Sequence, residues 1–202
     1  MKTILVAALA FAAAMPAAAA LKIGAAAPDF TLTAQDGKTR KLSDAKGKWV
    51  VLEWFNKDCP FVRKHYGSKN MSKLQDAYTK KGVVWYAISS SAKGKEGALT
   101  DAAQAAAVKT DIGMGKQADL LLDSDSAVAR AYGAKTTPHM FIVDPKGNVA
   151  YMGAIDDKAT ADPADVAGAR NYVAEALDAS LSTPSKPVPT PTTVSYGCSV
   201  KY

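Results

Sequence analysis

Cysteine is almost absent from this chain of 202 residues: there are two, Cys59 and Cys198. One intramolecular pairing is therefore possible, and a multi-disulfide scaffold is excluded. Histidine is equally scarce, with only His65 and His139, and no metal-ligand cluster of useful spacing is present. No glycine-rich dinucleotide fingerprint occurs, so no bound cofactor is implied. The lysines are spread along the chain without an arginine-rich block or interleaved aromatics, which argues against a nucleic-acid partner. No internal repeat is visible. Beyond residue 20 no apolar run is long enough to span a bilayer, so the mature form should carry no membrane span.

What is present begins with "MKTILVAALAFAAAMPAAAA". Lys2 forms a positive start, Ile4 to Ala14 an apolar stretch, and Ala18-Ala19-Ala20 a small-residue cleavage site. The pattern is that of a secretory signal peptide over residues 1–20, cut after Ala20, and it implies an exported, periplasmic destination. Removing Lys2 lowers the formal charge from +6 to +5. The remaining ~180 residues suit a single domain with a full core. In an exported protein the two cysteines meet an environment where disulfides persist.

Residues 30–42 alternate apolar and polar around Asp36-Gly37 and predict a hairpin. Trp49 to Phe55 and Val83 to Ser89 read as buried strands. After Pro60 the spacing of Val62, Tyr66, Leu74 and Tyr78 predicts a helix to about Lys80, with proline favoured in its first turn. Further helices are expected over residues 97–110, 126–132 and 165–181, a short strand in "ADLLLD", and a hairpin with strands at 140–144 and 149–153. Such alternation argues for an α/β fold, a central mixed β-sheet flanked by helices, with the first hairpin as an N-terminal extension. Past Leu181 four prolines in eight residues predict a proline-rich tail, residues 182–202, with no regular structure, acting as an extended tether that carries Cys198.

Cys59 sits in "VVLEWFNKDCPFVRKHY", where a strand gives way to a helix. Its sulfur should lie near free N–H groups of the first helical turn, which favour the thiolate, the nucleophilic form. Lys57, Arg63 and Lys64 are read as acting in the same direction and Asp58 against it. Glu53 lies inside the apolar strand. Burial there raises a carboxyl pKa and lets it exchange protons near neutrality, unless the residue faces outward. Thr137-Pro138, just before a buried strand, is a candidate cis peptide whose backbone could pair with an incoming chain. His65 reads as a surface or capping residue, and Ser89 to Ser91 as loop chemistry.

Together, a glutamate six residues before the cysteine, Cys-Pro at a helix start and Thr-Pro before the next strand resemble the thioredoxin superfamily. "IGAAAPDFTLTAQDGKTRKLSDAKGKWVVLEWF" and "TTPHMFIVDPKGNVAYMGAIDD" resemble its redoxin branch, shared by peroxiredoxins of the alkyl hydroperoxide reductase type and periplasmic thioredoxin-like reductases. The resemblance covers residues 21–181. It implies a thioredoxin-like fold, a thiol-based oxidoreductase, an attacking role for Cys59, proton relay by Glu53, a cis peptide at Pro138, and substrate contacts at Pro60, Thr137 and Pro138. Two positions depart from the pattern. Val62 stands where reductases carry a second cysteine, and Asn56 stands where peroxiredoxins carry threonine or serine.

An extended tail at roughly 3.1 Å per residue spans over 40 Å, against a domain radius of gyration of about 15 Å, so Cys198 can reach Cys59. Tyr196, Val200 and Tyr202 give it something to dock. Cys198 would then be the missing second thiol, resolving a disulfide or sulfenic acid on Cys59. A static staple, worth about 5 kcal/mol through loop closure, and an intermolecular pairing remain open alternatives. Three functions compete: an exported thiol-disulfide oxidoreductase, a peroxiredoxin-like thiol peroxidase, and a copper-binding module using Cys59 and His139. Either enzyme needs a substrate, a disulfide-bearing protein or a hydroperoxide, and an external thiol as electron donor.

Overall fold

The computed structural model describes residues 21–183 and 187–202; the leader expected at 1–20 lies outside them. The N-terminal hairpin forms from β1 (Thr31–Ala34) and β2 (Thr39–Lys41), closed by Gly37 N–H donating to the Ala34 carbonyl at 2.9 Å. β3 (Val50–Phe55) follows and is buried at all six positions. Helices α1 (Pro60–Gly67) and α2 (Asn70–Thr79) lead to β4 (Val84–Ser89). Then come α3 (Ala102–Asp111), β5 (Asp119–Leu122), α4 (Ala127–Tyr132), β6 (Thr136–Thr137), β7 (His139–Val143), β8 (Val149–Gly153), α5 (Tyr172–Ser182) and β9 (Cys198–Ser199).

Seven strands form one mixed sheet in the order β2-β1-β5-β4-β3-β7-β8. β3 pairs parallel with β4 and antiparallel with β7, placing it deep in the sheet. Strand side chains alternate faces, so β3 feeds two cores. Val51 and Phe55 join the cluster that holds Cys59, Tyr66 and Trp85. Val50, Leu52 and Trp54 join the opposite cluster with Tyr132 and Phe141. Glu53 is on the first of these faces by parity, and it is fully buried.

Three expectations are corrected. The single helix from Pro60 to about Lys80 is two helices, broken where Lys69 adopts φ +60° before α2. The last helix starts at Tyr172 because the Asn171 side chain accepts from Ala174 N–H at 2.9 Å as its cap; residues 163–168 form a separate 3-10 turn. Third, the tail is not a free tether. Pro191 accepts from Met152 N–H at 3.1 Å, and Thr193 N–H donates to Met152 at 3.2 Å, which lays the tail along β8. Gly153 permits that approach, since a Cβ there would stand 2.2 Å from Thr193 Oγ1. The tail then ends as β9, paired antiparallel with β6.

Candidate functional site

β3 delivers the chain to Asn56, whose side chain builds the turn that follows. Its Oδ1 accepts from Asp58 N–H at 2.8 Å, while its Nδ2 donates to Ser91 Oγ at 3.1 Å and the Glu96 carbonyl at 3.0 Å. Cys59 is the N-cap of α1, with Pro60 in the first turn and the Arg63 N–H donating to the Cys59 carbonyl at 2.9 Å. The side chain of Cys59 makes no cap hydrogen bond. As the N-cap residue, Cys59 sets its sulfur beside the first turn of the helix. Cys59 is only 2% exposed. Its basic neighbours are engaged elsewhere: Lys57 pairs with Asp58 at 2.7 Å, and Arg63 reaches Asp58 at 3.6 Å and the Lys57 carbonyl at 3.0 Å.

Glu53 faces inward, not outward. Tyr66 donates its hydroxyl to Oε1 at 2.9 Å; Trp85 and Gln75 donate to Oε2 at 2.9 and 3.1 Å. Burial pushes its carboxyl up to about 7 even though these three donors pull the other way. Desolvation exceeds the hydrogen bonds, leaving a group that changes protonation near neutrality. The three donors come from α1, α2 and β4, and the sequence reading did not single them out. Gln75 carried a signal, a polar residue on the same helical face as Met71 and Tyr78.

The Thr137-Pro138 peptide is cis. It brings the Thr137 carbonyl oxygen to 2.9 Å from the Cys59 sulfur. Across the β6–β9 ladder, Thr137 registers with Cys198 and Thr136 with Ser199. That pairing places the Cys198 sulfur 2.8 Å from the Cys59 sulfur, both as free thiols. Burial, together with the hydrogen bond and charge of Cys59, pushes the Cys198 thiol up to about 12. Both thiols and the residues on either side of the cis bond thus share one site. Pro60 is exposed at its edge, whereas Thr137 and Pro138 are buried beneath the tail. Past the cysteine, Val200 N–H donates to the Lys135 carbonyl at 3.1 Å, Ala92 N–H to the Lys201 carbonyl at 2.8 Å, and the Tyr202 hydroxyl to the Ala134 carbonyl at 2.6 Å.

Before the cysteine, the tail is held by a buried polar cluster that overturns two sequence readings. His65 is no surface residue: its side chain is fully buried, with Nε2 3.2 Å from the Tyr196 hydroxyl and Nδ1 3.0 Å from Asn70 Nδ2. Burial pushes it down to about 4, outweighing the attraction of Asp156. Lys64 turns into the protein, donating to the Lys158 carbonyl at 2.6 Å with Asp156 Oδ2 at 3.8 Å. Tyr196 donates its hydroxyl to Asp156 Oδ1 and sets its ring edge-on to Phe61, 5.9 Å between centroids. A basic helix segment looks solvent-facing until the carboxylate some 90 residues on is known. His139 is buried too, accepting from Lys135 N–H at 3.2 Å through Nδ1. Among the described residues no group of three or more His, Cys, Asp or Glu side chains could hold a metal ion, so the copper reading finds no ligand set there. Ser90 bridges Trp54 Nε1 and Asp123 Oδ2, a structural link and no nucleophile.

Comparison with known proteins adds the following. Residues 23–152 match the profile of the AhpC/TSA family. The chain is 31% identical over 133 residues to the thiol-disulfide oxidoreductase ResA of Bacillus thuringiensis subsp. konkukian, covering 64% of this chain and 68% of that protein. An uncharacterized conserved protein from Geobacillus kaustophilus superposes with a TM-score of 0.74 at 29% identity, over 90% of this chain and 93% of its own. The thioredoxin domain of a thiol-disulfide oxidoreductase from Bacteroides vulgatus superposes with a TM-score of 0.53 at 24% identity, over 66% and 89%. The fold is the thioredoxin-like α/β fold, with the β1–β2 hairpin added at the sheet's edge.

Proposed function

The chain belongs to the AhpC/TSA family, and on that premise we propose that it is an exported thiol-disulfide oxidoreductase whose reactive pair is Cys59 and Cys198. The observation that carries this reading is the 2.8 Å approach of the two sulfurs across the Thr137–Cys198 register. The tail supplies, from 139 residues away, the second thiol that Val62 does not. Cys59, at the start of α1, attacks a substrate disulfide as the thiolate and is left in a mixed disulfide; the departing substrate sulfur takes the electron pair and a proton. Cys198 then attacks the Cys59 sulfur, freeing the second substrate thiol and closing the 59–198 bond. An external thiol reopens that bond. Glu53 holds or releases a proton on the Cys59 side of the sheet near neutral pH, which matches the proton traffic of both half-reactions.

Peroxide reduction is the alternative that the family name raises. It needs a hydrogen-bonding group free to meet a peroxide beside the sulfur. Asn56, at the position where peroxiredoxins carry a hydroxyl, spends both ends of its amide on the backbone and on Ser91. That supports disulfide chemistry. Export rests on the residue 1–20 pattern; no helix of the described residues is long and apolar enough to cross a membrane.

The test offers the mature protein, with dithiothreitol as donor, either a protein disulfide such as insulin or hydrogen peroxide. Reduction of insulin that vanishes in Cys59→Ser, without peroxide consumption above the dithiothreitol background, is expected. Peroxide consumption that depends on Cys59, with insulin untouched, would replace this reading with the peroxidase.

A further inference from the structure

The segment facing Cys59 is recognised at three successive residues, not only at its cysteine. Cys198 is set by backbone pairing with Thr137. Gly197, one residue before, has φ +133°, and a Cβ on it would stand 2.1 Å from the Thr137 carbonyl oxygen. That contact is with backbone, so no side chain can yield, and only glycine fits. Tyr196, two residues before, puts its hydroxyl between Asp156 Oδ1 and His65 Nε2. Its ring lies against Phe61, with Lys64 Nζ 5.5 Å from the ring centroid.

The socket's walls belong to the domain, not to the tail that fills it. Lys64, His65 and Asp156 are all at least 99% buried as side chains, and they come from α1 and the β8–α5 connection, not from the tail. Asp156 Oδ2 is buried without a hydrogen-bond partner, its nearest polar neighbours being Lys64 Nζ at 3.8 Å and His65 Nε2 at 3.9 Å. The edge of β6 would pair with any extended chain; the socket and the Thr137 carbonyl would not accept any.

Resting on the reading of Cys59 as the attacking thiol, we propose that this groove is a binding site for Tyr-Gly-Cys in an extended peptide. The tail is its internal ligand, and the protein substrates carry their reactive cysteine just after the same aromatic-glycine pair. A substrate segment enters when the tail lifts and lies antiparallel on Thr136–Thr137. The Cys59 thiolate bonds to the substrate's cysteine sulfur, breaking its disulfide, and the former partner sulfur leaves with the electron pair and takes a proton. Return of the tail exchanges like for like. The Cys198 sulfur bonds to the Cys59 sulfur and gives up its proton, and the substrate cysteine departs with the electron pair and takes a proton, two electrons richer in sum with its partner. Product release is then driven by the tail reclaiming its own seat.

The test uses the reduced full chain and four short blocked peptides whose cysteine is disulfide-linked to thionitrobenzoate. The two residues before the cysteine are Tyr-Gly, Phe-Gly, Ala-Gly or Tyr-Ala. The released chromophore reports attack by Cys59, and tail competition is common to all four. Tyr-Gly should react at least about tenfold faster than Ala-Gly and Tyr-Ala, with Phe-Gly between, as a buried hydrogen bond and a steric exclusion require. Asp156→Asn, which keeps an acceptor oxygen but loses the charge, should shrink the preference of Tyr over Phe and keep that of Gly over Ala. Equal rates across the wild-type series would overturn the proposal and leave the oxidoreductase standing. Silence from all four, with Cys59 verified as reduced, would remove both.

Discussion

The two cysteines reach the same point by opposite routes. Cys59 is positioned by secondary structure: a buried central strand ends, Asn56 folds the turn, and proline starts the helix. The elements that set its backbone lie within a few residues, and Ser91 and Glu96 hold the Asn56 turn in place. Cys198 is positioned by docking. Its strand is two residues long, and it is fixed by a phenol in a socket, a glycine against a carbonyl and Val200 in the opposite core. The local route gives a site that survives most changes elsewhere. The docked route gives one that can lift away and return, which a thiol meant to resolve an intermediate requires.

The comparison can be broken most completely at the first cysteine. Cys59→Ser should abolish disulfide reduction, whereas Cys198→Ser should still complete the first attack and accumulate a mixed disulfide on Cys59, seen by mass spectrometry of the intact chain. Next in size, Gly197→Ala should slow closure of the 59–198 bond on the order of 100-fold, because misplacing a reacting group by about 1 Å costs that much. Rapid thiol trapping would measure it, and the thermal midpoint of the domain should barely move. If closure is unaffected, the ladder at Thr137 is not what stations Cys198.

Glu53→Gln sharpens the other side. Exchange should slow by about 10²-fold, in the range of lost proton transfer, and the ionisation near pH 7 should leave the rate profile. Stability has a definite sign here. The carboxyl is raised from 4.5 to about 7, so between those values the folded chain keeps a proton the unfolded chain has lost. The contribution of Glu53 to stability should be greatest below about 4.5 and fall as the pH climbs through 7, by up to about 3 kcal/mol, while buried His65 and His139, pushed down to about 4, contribute in the opposite direction. The advantage of the wild type over the variant in urea midpoint should shrink across that window, because the histidine contributions are common to both. The smallest effect belongs to Lys201→Ala. Its pair with Glu96, 3.3 Å apart and largely exposed, should contribute under about 1 kcal/mol to docking, so the 59–198 equilibrium should shift less than about fivefold.

What could be read in the sequence follows the same division. The hairpins, β3, β4, the Cys-Pro helix start and the Thr-Pro before β7 were legible because alternation, apolar runs and proline placement are local. Glu53 announced itself as a charge in an apolar strand. The break at Lys69 was hidden because Val62, Tyr66, Leu74 and Tyr78 keep a helical spacing across it. His65 read as a surface residue and Lys64 as a basic neighbour of Cys59 because the group that buries them, Asp156, lies far along the chain. The tail's reach was computable from length, but its path along Met152 and into the socket depends on surfaces that no local pattern specifies. Of the donors that hold Glu53, Tyr66 and Trp85 were hidden for the same reason, while Gln75 carried a signal as a polar residue on a buried helical face.

The central claim is that 59–198 is a working dithiol, and redox equilibration tests it most directly. The mature protein would be equilibrated in graded glutathione buffers, its thiols trapped, and the bond mapped by peptide mass. The account predicts a 59–198 disulfide that opens within the range of the glutathione couple, roughly −200 to −260 mV. A bond that stays closed below about −300 mV would be a structural staple, and that result would contradict it.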